Sequence, residues 1–365
     1  MPGSIPDKFK GVGVDKPENW NKPSVVEYEP KKVLPEDVVI KIETCGVCAS
    51  DLHTVKGDWG DLQRKDLVAG HEIVGEVVMV GDKVKNVKVG DRAGIGAMSN
   101  SCLDCNRCAS NNPQYCKEKI DTYNAPDKKS GGYITQGGYA SHAISHEHFV
   151  FPVPEEITSA EASPLLCAGL TVYSPLVRNL GKDATGKTVG IVGIGGLGHL
   201  AVQFAKALGA EVIAFSRGTS KKEDALKLGA SSFISTKETP DFDKDHYDGF
   251  DFILNCAANF SQLELKPFLA SLKVGASFVS VGLPPVDEKV EIQPFDMATN
   301  EAKVGQSLLG GREEALAMLK LAAEKDVRPW IEKIPISKEG VATALEKLDQ
   351  GDVRYRSVLV DFDKL

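Results

Sequence analysis

Two kinds of hydrophobic pattern divide the chain. Through residues 1–160 the apolar runs are short, as at 38–42, 73–80 and 149–153, and Gly, Pro and Asp separate them. Runs of this kind predict short strands joined by turns. The pairs Gly81-Asp82 and Gly90-Asp91 mark two of those turns. After about Pro164 the texture changes. The run TVGIVG reads as a buried strand. Leu197, Leu200, Ala201, Phe204 and Leu208 then recur at three- and four-residue spacing, which is one face of a helix ended by Gly209. Strands at 211–215, 250–255 and 277–281 and a helix at 221–228 continue the alternation. Alternating strands and helices predict an α/β unit with a doubly wound parallel sheet. In the last stretch a helix at 313–325 and strands at 331–334 and 357–361 fit either unit.

Composition narrows the function classes. A chain of 365 residues is long enough for two domains with cores of their own. Lys and Arg number 43 against 51 Asp and Glu, a net charge of −8. That balance argues against a nucleic acid or an anionic membrane as a general partner. The apolar stretch 188–215 resembles a membrane span, but His199, Gln203, Lys206 and Glu211 interrupt it well short of about 20 residues. The first residues, MPGSIPDKFKGVG, have no apolar signal region. The expectation is therefore a reducing, cytoplasmic setting, in which the eight cysteines serve as thiolates available to metal.

Four of those cysteines form the most specific local motif. Cys102, Cys105, Cys108 and Cys116 have the spacing of a closed tetrahedral zinc set, with two-residue spacers that turn consecutive sulfurs onto one ion. An iron–sulfur cluster is the competing occupant, and nothing else in the sequence points to electron transfer. A closed site has no free coordination position, so its role is to brace a loop. Cys48, His71 and Cys167 are candidates for a second, open site, because Cys₂His plus water is a known catalytic zinc set. Spacing alone does not select these three, and a lone His beside a turn glycine is more often a structural residue. Cys45-x-x-Cys48 imitates a redox pair without the thioredoxin-like context.

Gly193, Gly195, Gly196, Leu197 and Gly198 form a G-x-G-x-x-G loop between a strand and a helix, the context in which the motif binds a dinucleotide pyrophosphate. An NAD site places a carboxylate at the end of the next strand. Here Ser216 and Arg217 stand there, followed by Lys221 and Lys222. Cations at this point favour a 2′-phosphate, so the expected cofactor is NADP(H); Lys222 also reads as a solvated charge on the following helix.

Taken in order, CASDLH at 48–53, GHE at 70–72, the cysteine lobe, PLLCAG at 164–169 and the GIGGLG loop resemble the zinc-dependent medium-chain alcohol dehydrogenases, and within them the cinnamyl alcohol dehydrogenase type. The stretches CAGLTVYSPL, QGGYASH and DVRYRSVLV carry the same likeness. The resemblance implies a GroES-like catalytic domain at 1–160, a Rossmann domain at 161–302 and a C-terminal segment, 303–365, that returns to the first. It implies Cys48, His71 and Cys167 as catalytic zinc ligands, two zinc ions per chain, and Glu72 as a nearby carboxylate. Ser50 and His53 match the proton relay, with Asp58 as a polar partner, and Trp59 lines the substrate site. Val281, Leu283, Ser307 and Arg356 join the cofactor contacts, with Arg356 on a phosphate. The activity implied is hydride transfer between NADP(H) and an alcohol or aldehyde, in a homodimer. Polyol oxidation, a zinc-free quinone reductase and a non-catalytic zinc-stabilised adaptor are the alternatives; both zinc motifs count against the second, and no further ligands interleave for the third.

Overall fold

The structure is a computed structural model and describes residues 5–258 and 260–365. The chain forms two compact units. The first comprises Met1–Cys167, Gly311–Ala323 and Pro329–Leu365, and the second Ala168–Gly310 and Glu324–Arg328.

The first unit is built on a mostly antiparallel sheet. Its strands run in the order Val150–Pro152, Arg92–Ile95, Glu72–Val80, Asp37–Val47, Arg356–Val360, Ile331–Pro335, and His142–His146 pairs with the outer part of Asp37–Val47. The central strand Asp37–Val47 is buried on both faces over most of its length, which explains its run of Val and Ile. Val38, Val39, Ile40, Ile73 and Val77 are fully buried in the core beside it. The C-terminal strand Arg356–Val360 pairs with Cys45–Val47, so the end of the chain lies in the sheet of the first unit.

The second unit is a six-stranded parallel sheet. Its order is Ser232–Ser235, Glu211–Ser216, Thr188–Val192, Phe250–Asn255, Leu272–Ser280, Lys303–Gln306. In chain order this is 3-2-1-4-5-6, the doubly wound arrangement whose direction reverses beside its first strand. Phe215, Phe250, Phe268 and Phe278 pack under the sheet, with Phe215 and Phe268 rings edge to face at 5.2 Å.

The unit boundaries differ from 160/161 and 302/303. The helix Ser159–Pro164 stays with the first unit: Thr44 Oγ1 donates to the Ser159 carbonyl at 3.0 Å. At the other end, Lys303–Gln306 is the sixth parallel strand, paired with Leu272–Ser280. It is polar and half-solvated because it is an edge strand, so it lacks the apolar run that marks its neighbours.

Candidate functional site

The four-cysteine lobe grows from a short ladder, Met98–Asn100 with Ile120–Asp121. A helical turn, Asn106–Ala109, is capped by Cys105, and a 3₁₀ turn, Pro113–Tyr115, ends at Cys116. These turns bring four sulfurs together. The separations are 3.4 Å for Cys102–Cys116, 3.6 Å for Cys105–Cys108, and 3.8 Å for both Cys102–Cys108 and Cys105–Cys116. Four thiolates about 2.3 Å from one tetrahedral zinc lie about 3.8 Å apart. The spacing therefore suits a single ion better than a polynuclear cluster.

The second cluster is assembled from three separate elements. Cys48 directly follows strand Asp37–Val47 and caps helix Ala49–Lys56. The helix start favours a thiolate there. His71 directly precedes strand Glu72–Val80. Cys167 sits in a π-helical turn, Leu165–Gly169, between two α-helical segments. Such one-turn widenings occur often at functional sites. The donor atoms of Cys48, His71, Glu72 and Cys167 all lie within 4.8 Å of one another, and all four residues are buried. His71 Nε2 is 3.1 Å from Cys167 Sγ. The Cys48 thiol is held well below the ordinary thiol range, first by a hydrogen bond from Cys167 and also by the Arg356 charge, against the effect of burial.

Asp51 orients the histidine. Its Oδ1 accepts from His71 Nδ1 at 2.9 Å and from the Gly70 amide at 3.1 Å. Its Oδ2 accepts from the Cys48 amide at 2.9 Å and from the Tyr139 hydroxyl at 2.9 Å. With Nδ1 donating, Nε2 is left as the metal-facing lone pair. Glu72 is fully buried, and burial lifts its carboxyl to about 7 against the pull of Arg356. One oxygen pairs with Arg356 and the other, Oε2, has no hydrogen-bond partner. An orphaned buried oxygen beside two thiols and an imidazole is what a cation would satisfy. The residues present therefore fit a zinc ion, with Cys48, His71 and Cys167 as its donors and the Glu72 carboxylate close by.

Along helix Ala49–Lys56, Ser50 and His53 are three residues apart and share a face. Ser50 Oγ is 3.7 Å from Cys48 Sγ. His53 Nδ1 donates to Asp58 Oδ2 at 2.7 Å, and its ring stacks on Trp59 at 5.0 Å.

In the second unit, the remaining predicted residues gather at the carboxyl ends of the parallel strands. The Gly193–Gly198 loop follows Thr188–Val192 and leads into helix Gly198–Ala207. A Cβ on Gly198 would lie 1.8 Å from the Gly193 carbonyl, so only glycine lets the helix close on the strand, whereas Gly195 faces open space. Ser216 ends its strand and Arg217 follows it. Lys221 donates to the Ile194 carbonyl in the loop at 2.9 Å. Val281 and Ser307 each come just after a strand end, and Leu283 lies exposed two residues on from Val281. This is the edge at which doubly wound sheets bind ligands.

Comparison with known proteins agrees with this geometry. Residues 34–155 match the alcohol dehydrogenase GroES-like domain and residues 196–324 the zinc-binding dehydrogenase family. Over 362 residues the chain is 44% identical to the NADP-dependent alcohol dehydrogenase 6 of Saccharomyces cerevisiae, covering 99% of each. The chain belongs to the zinc-type medium-chain alcohol dehydrogenases. The structure superposes on a cinnamyl alcohol dehydrogenase of Sorghum bicolor with a TM-score of 0.89, at 34% identity and 97% coverage of both chains. For a cinnamyl alcohol dehydrogenase of Helicobacter pylori complexed with NADP(H) the TM-score is 0.87, at 32% identity, covering 98% of this chain and 99% of that one.

Two residues of this dehydrogenase have partners that the sequence reading does not name. Arg356, expected on a cofactor phosphate with Arg217 and Lys221, is buried at the start of its strand, where its guanidinium pairs with Glu72. Strand pairing explains this, because Arg356–Val360 lies beside Asp37–Val47, which in turn neighbours Glu72–Val80. Asp51 was not singled out at all. Its local signal is a capping box, an acid three residues after the helix-capping Cys48. Among the described residues no helix is long and apolar enough to cross a membrane.

Proposed function

We propose that this dehydrogenase interconverts alcohols and aldehydes with NADP(H), acting on primary aromatic substrates of the cinnamyl type and on medium-chain aliphatic ones. The observation that carries the reading is the convergence of the Cys48, His71, Glu72 and Cys167 donors in one buried cluster. The NADP-dependent yeast relative and the basic pair Arg217 and Lys221 support the choice of cofactor. When bound, zinc supplies Lewis acidity toward the substrate oxygen and NADP(H) supplies or accepts the hydride.

The chain's own residues do the rest. Cys48, His71 and Cys167 hold the zinc, and the two thiolates balance its charge. Asp51 fixes the His71 tautomer. Ser50 takes the alcohol proton and passes it toward His53, whose Nδ1 is occupied by Asp58 so that Nε2 carries the proton. Gly193, Gly195, Gly196, Leu197 and Gly198 offer loop and helix amides to the pyrophosphate. Arg217 and Lys221 take the 2′-phosphate, Ser216, Val281, Leu283 and Ser307 line the cofactor, and Trp59 walls the substrate. A panel of aromatic, terpenoid and aliphatic aldehydes with NADPH, with NADH and a polyol oxidation as controls, tests the reading. Turnover of aromatic aldehydes with NADPH and little with NADH is expected. Activity confined to polyols, or none with either cofactor, contradicts it.

We also propose a cytoplasmic homodimer joined through the second unit, the setting in which thiolate ligands stay reduced. Among the described residues its edge strand Lys303–Gln306 pairs on one side only, with Leu272–Ser280. Phe295 and Val286 are 85% and 79% exposed, and Leu283 and Ile292 are exposed with them. Exposed large apolar side chains in one stretch mark an interaction surface. Phe295→Glu is expected to shift the protein from dimer to monomer in sedimentation velocity. A dimer of unchanged affinity places the interface elsewhere.

A further inference from the structure

Tyr139 has no place in the relay, the ligand set or the cofactor contacts. We propose that its hydroxyl is the outer anchor of the catalytic metal site, a positioning residue that acts through Asp51 to set how firmly His71 and Cys48 are held. The inference rests on the reading of Cys48, His71 and Cys167 as a zinc site.

Two lines of attachment converge on one carboxylate. Asp51 Oδ1 accepts from the His71 ring, and Oδ2 from the Cys48 amide. Asp51 is fully buried, and a buried carboxylate needs hydrogen-bond donors for its oxygens. The Gly70 amide fills a third and the Tyr139 hydroxyl a fourth. Without that hydroxyl, Oδ2 loses one of the two bonds just described. The carboxylate is then freer to turn, and the imidazole turns with it.

The tyrosine is held in place for this task. It is 1% exposed. Its amide donates to the Ala69 carbonyl at 2.9 Å, and its own carbonyl accepts from the Val12 amide at 2.8 Å. Its ring lies against Gly70, where a Cβ would stand 2.6 Å from Cδ1 and 2.7 Å from Cε1. Gly70 also has φ +99°, so the residue next to the metal-facing histidine is glycine on two grounds. Ring, glycine and histidine therefore form one fitted unit. Outer partners of metal-bound histidines typically change metal affinity by 10–100-fold when removed.

The test is zinc release from the holoenzyme to a colorimetric chelator, followed in Tyr139→Phe and wild type. Wild type should release two zincs in separate phases, and the phase lost in Cys167→Ser is the catalytic one. In Tyr139→Phe that phase should accelerate about tenfold, with the four-cysteine phase unchanged. Cobalt placed in the catalytic site should show a shifted thiolate absorption band. Tyr28→Phe, a change at another buried tyrosine, should move neither phase. In an Asp51→Asn background Tyr139→Phe should add little, since the two act in series. An unchanged catalytic phase, equal acceleration of both phases, or a full tenfold effect in the Asn background overturns the role of Tyr139. A wild type that releases no zinc assignable to Cys167 overturns the zinc reading itself, and the proposal with it.

Discussion

Cys167→Ser is expected to remove one zinc per chain and on the order of a thousandfold of turnover, while the second zinc stays. The first loss follows from ligand chemistry. In the proposed site zinc would have three protein donors, and a neutral serine hydroxyl is a far weaker ligand than a thiolate. The size of the second follows from the several kcal/mol of charge stabilisation that a Lewis-acid metal contributes, at 1.36 kcal/mol per tenfold in rate. The remaining zinc is independent because Cys102, Cys105, Cys108 and Cys116 form a closed set with separations of 3.4–3.8 Å of their own. Metal analysis beside aldehyde reduction on the purified variant checks the result. Full activity removes Cys167 from the ligand set, and loss of both zincs contradicts the independence of the two sites.

Arg217→Ala is expected to have the next largest effect, on cofactor choice. Arg217 directly follows the strand Glu211–Ser216, where an NAD site would carry an acid. A hydrogen bond to a charged group contributes about 1.5–3 kcal/mol, so removing the guanidinium is expected to lower kcat/KM for NADPH about 10- to 100-fold. The value for NADH should change little, since NADH has no phosphate at that position. Lys221 remains, which limits the loss. Initial rates with each cofactor measure the ratio. An unchanged preference for NADPH takes Arg217 out of the phosphate site.

Much of this was legible from the chain because it is local. The strands Thr188–Val192 and Phe250–Asn255 are buried on both faces and so are written as apolar runs, and the following helix shows its face through Leu200, Ala201 and Phe204. The four cysteines of the lobe lie within one loop, so their spacing alone implies their meeting. The open cluster is different. Its donor residues come from the position after a strand, the position before another strand and a π-helical turn, and only tertiary pairing brings them together. Family resemblance named Cys48, His71 and Cys167, which periodicity could not. Asp51 and Tyr139 were harder still, because a buried hydrogen bond between residues 88 positions apart leaves no pattern in either neighbourhood. Arg356 has a second partner that its neighbourhood does not announce, for a related reason. The family resemblance implies a phosphate contact for it, and the structure adds a buried carboxylate brought close by sheet pairing.

The central claim, that the ion held by Cys48, His71 and Cys167 performs the chemistry, is tested most directly by stepwise zinc removal. The holoenzyme would be treated with a chelator while bound zinc and NADPH-dependent reduction of an aromatic aldehyde are followed on the same samples. Two zincs per chain are expected at the start, activity should fall in proportion to loss of one of them, and added zinc should restore it. Undiminished turnover in protein that retains only the four-cysteine zinc, or a starting content of one zinc per chain with full activity, would contradict the account.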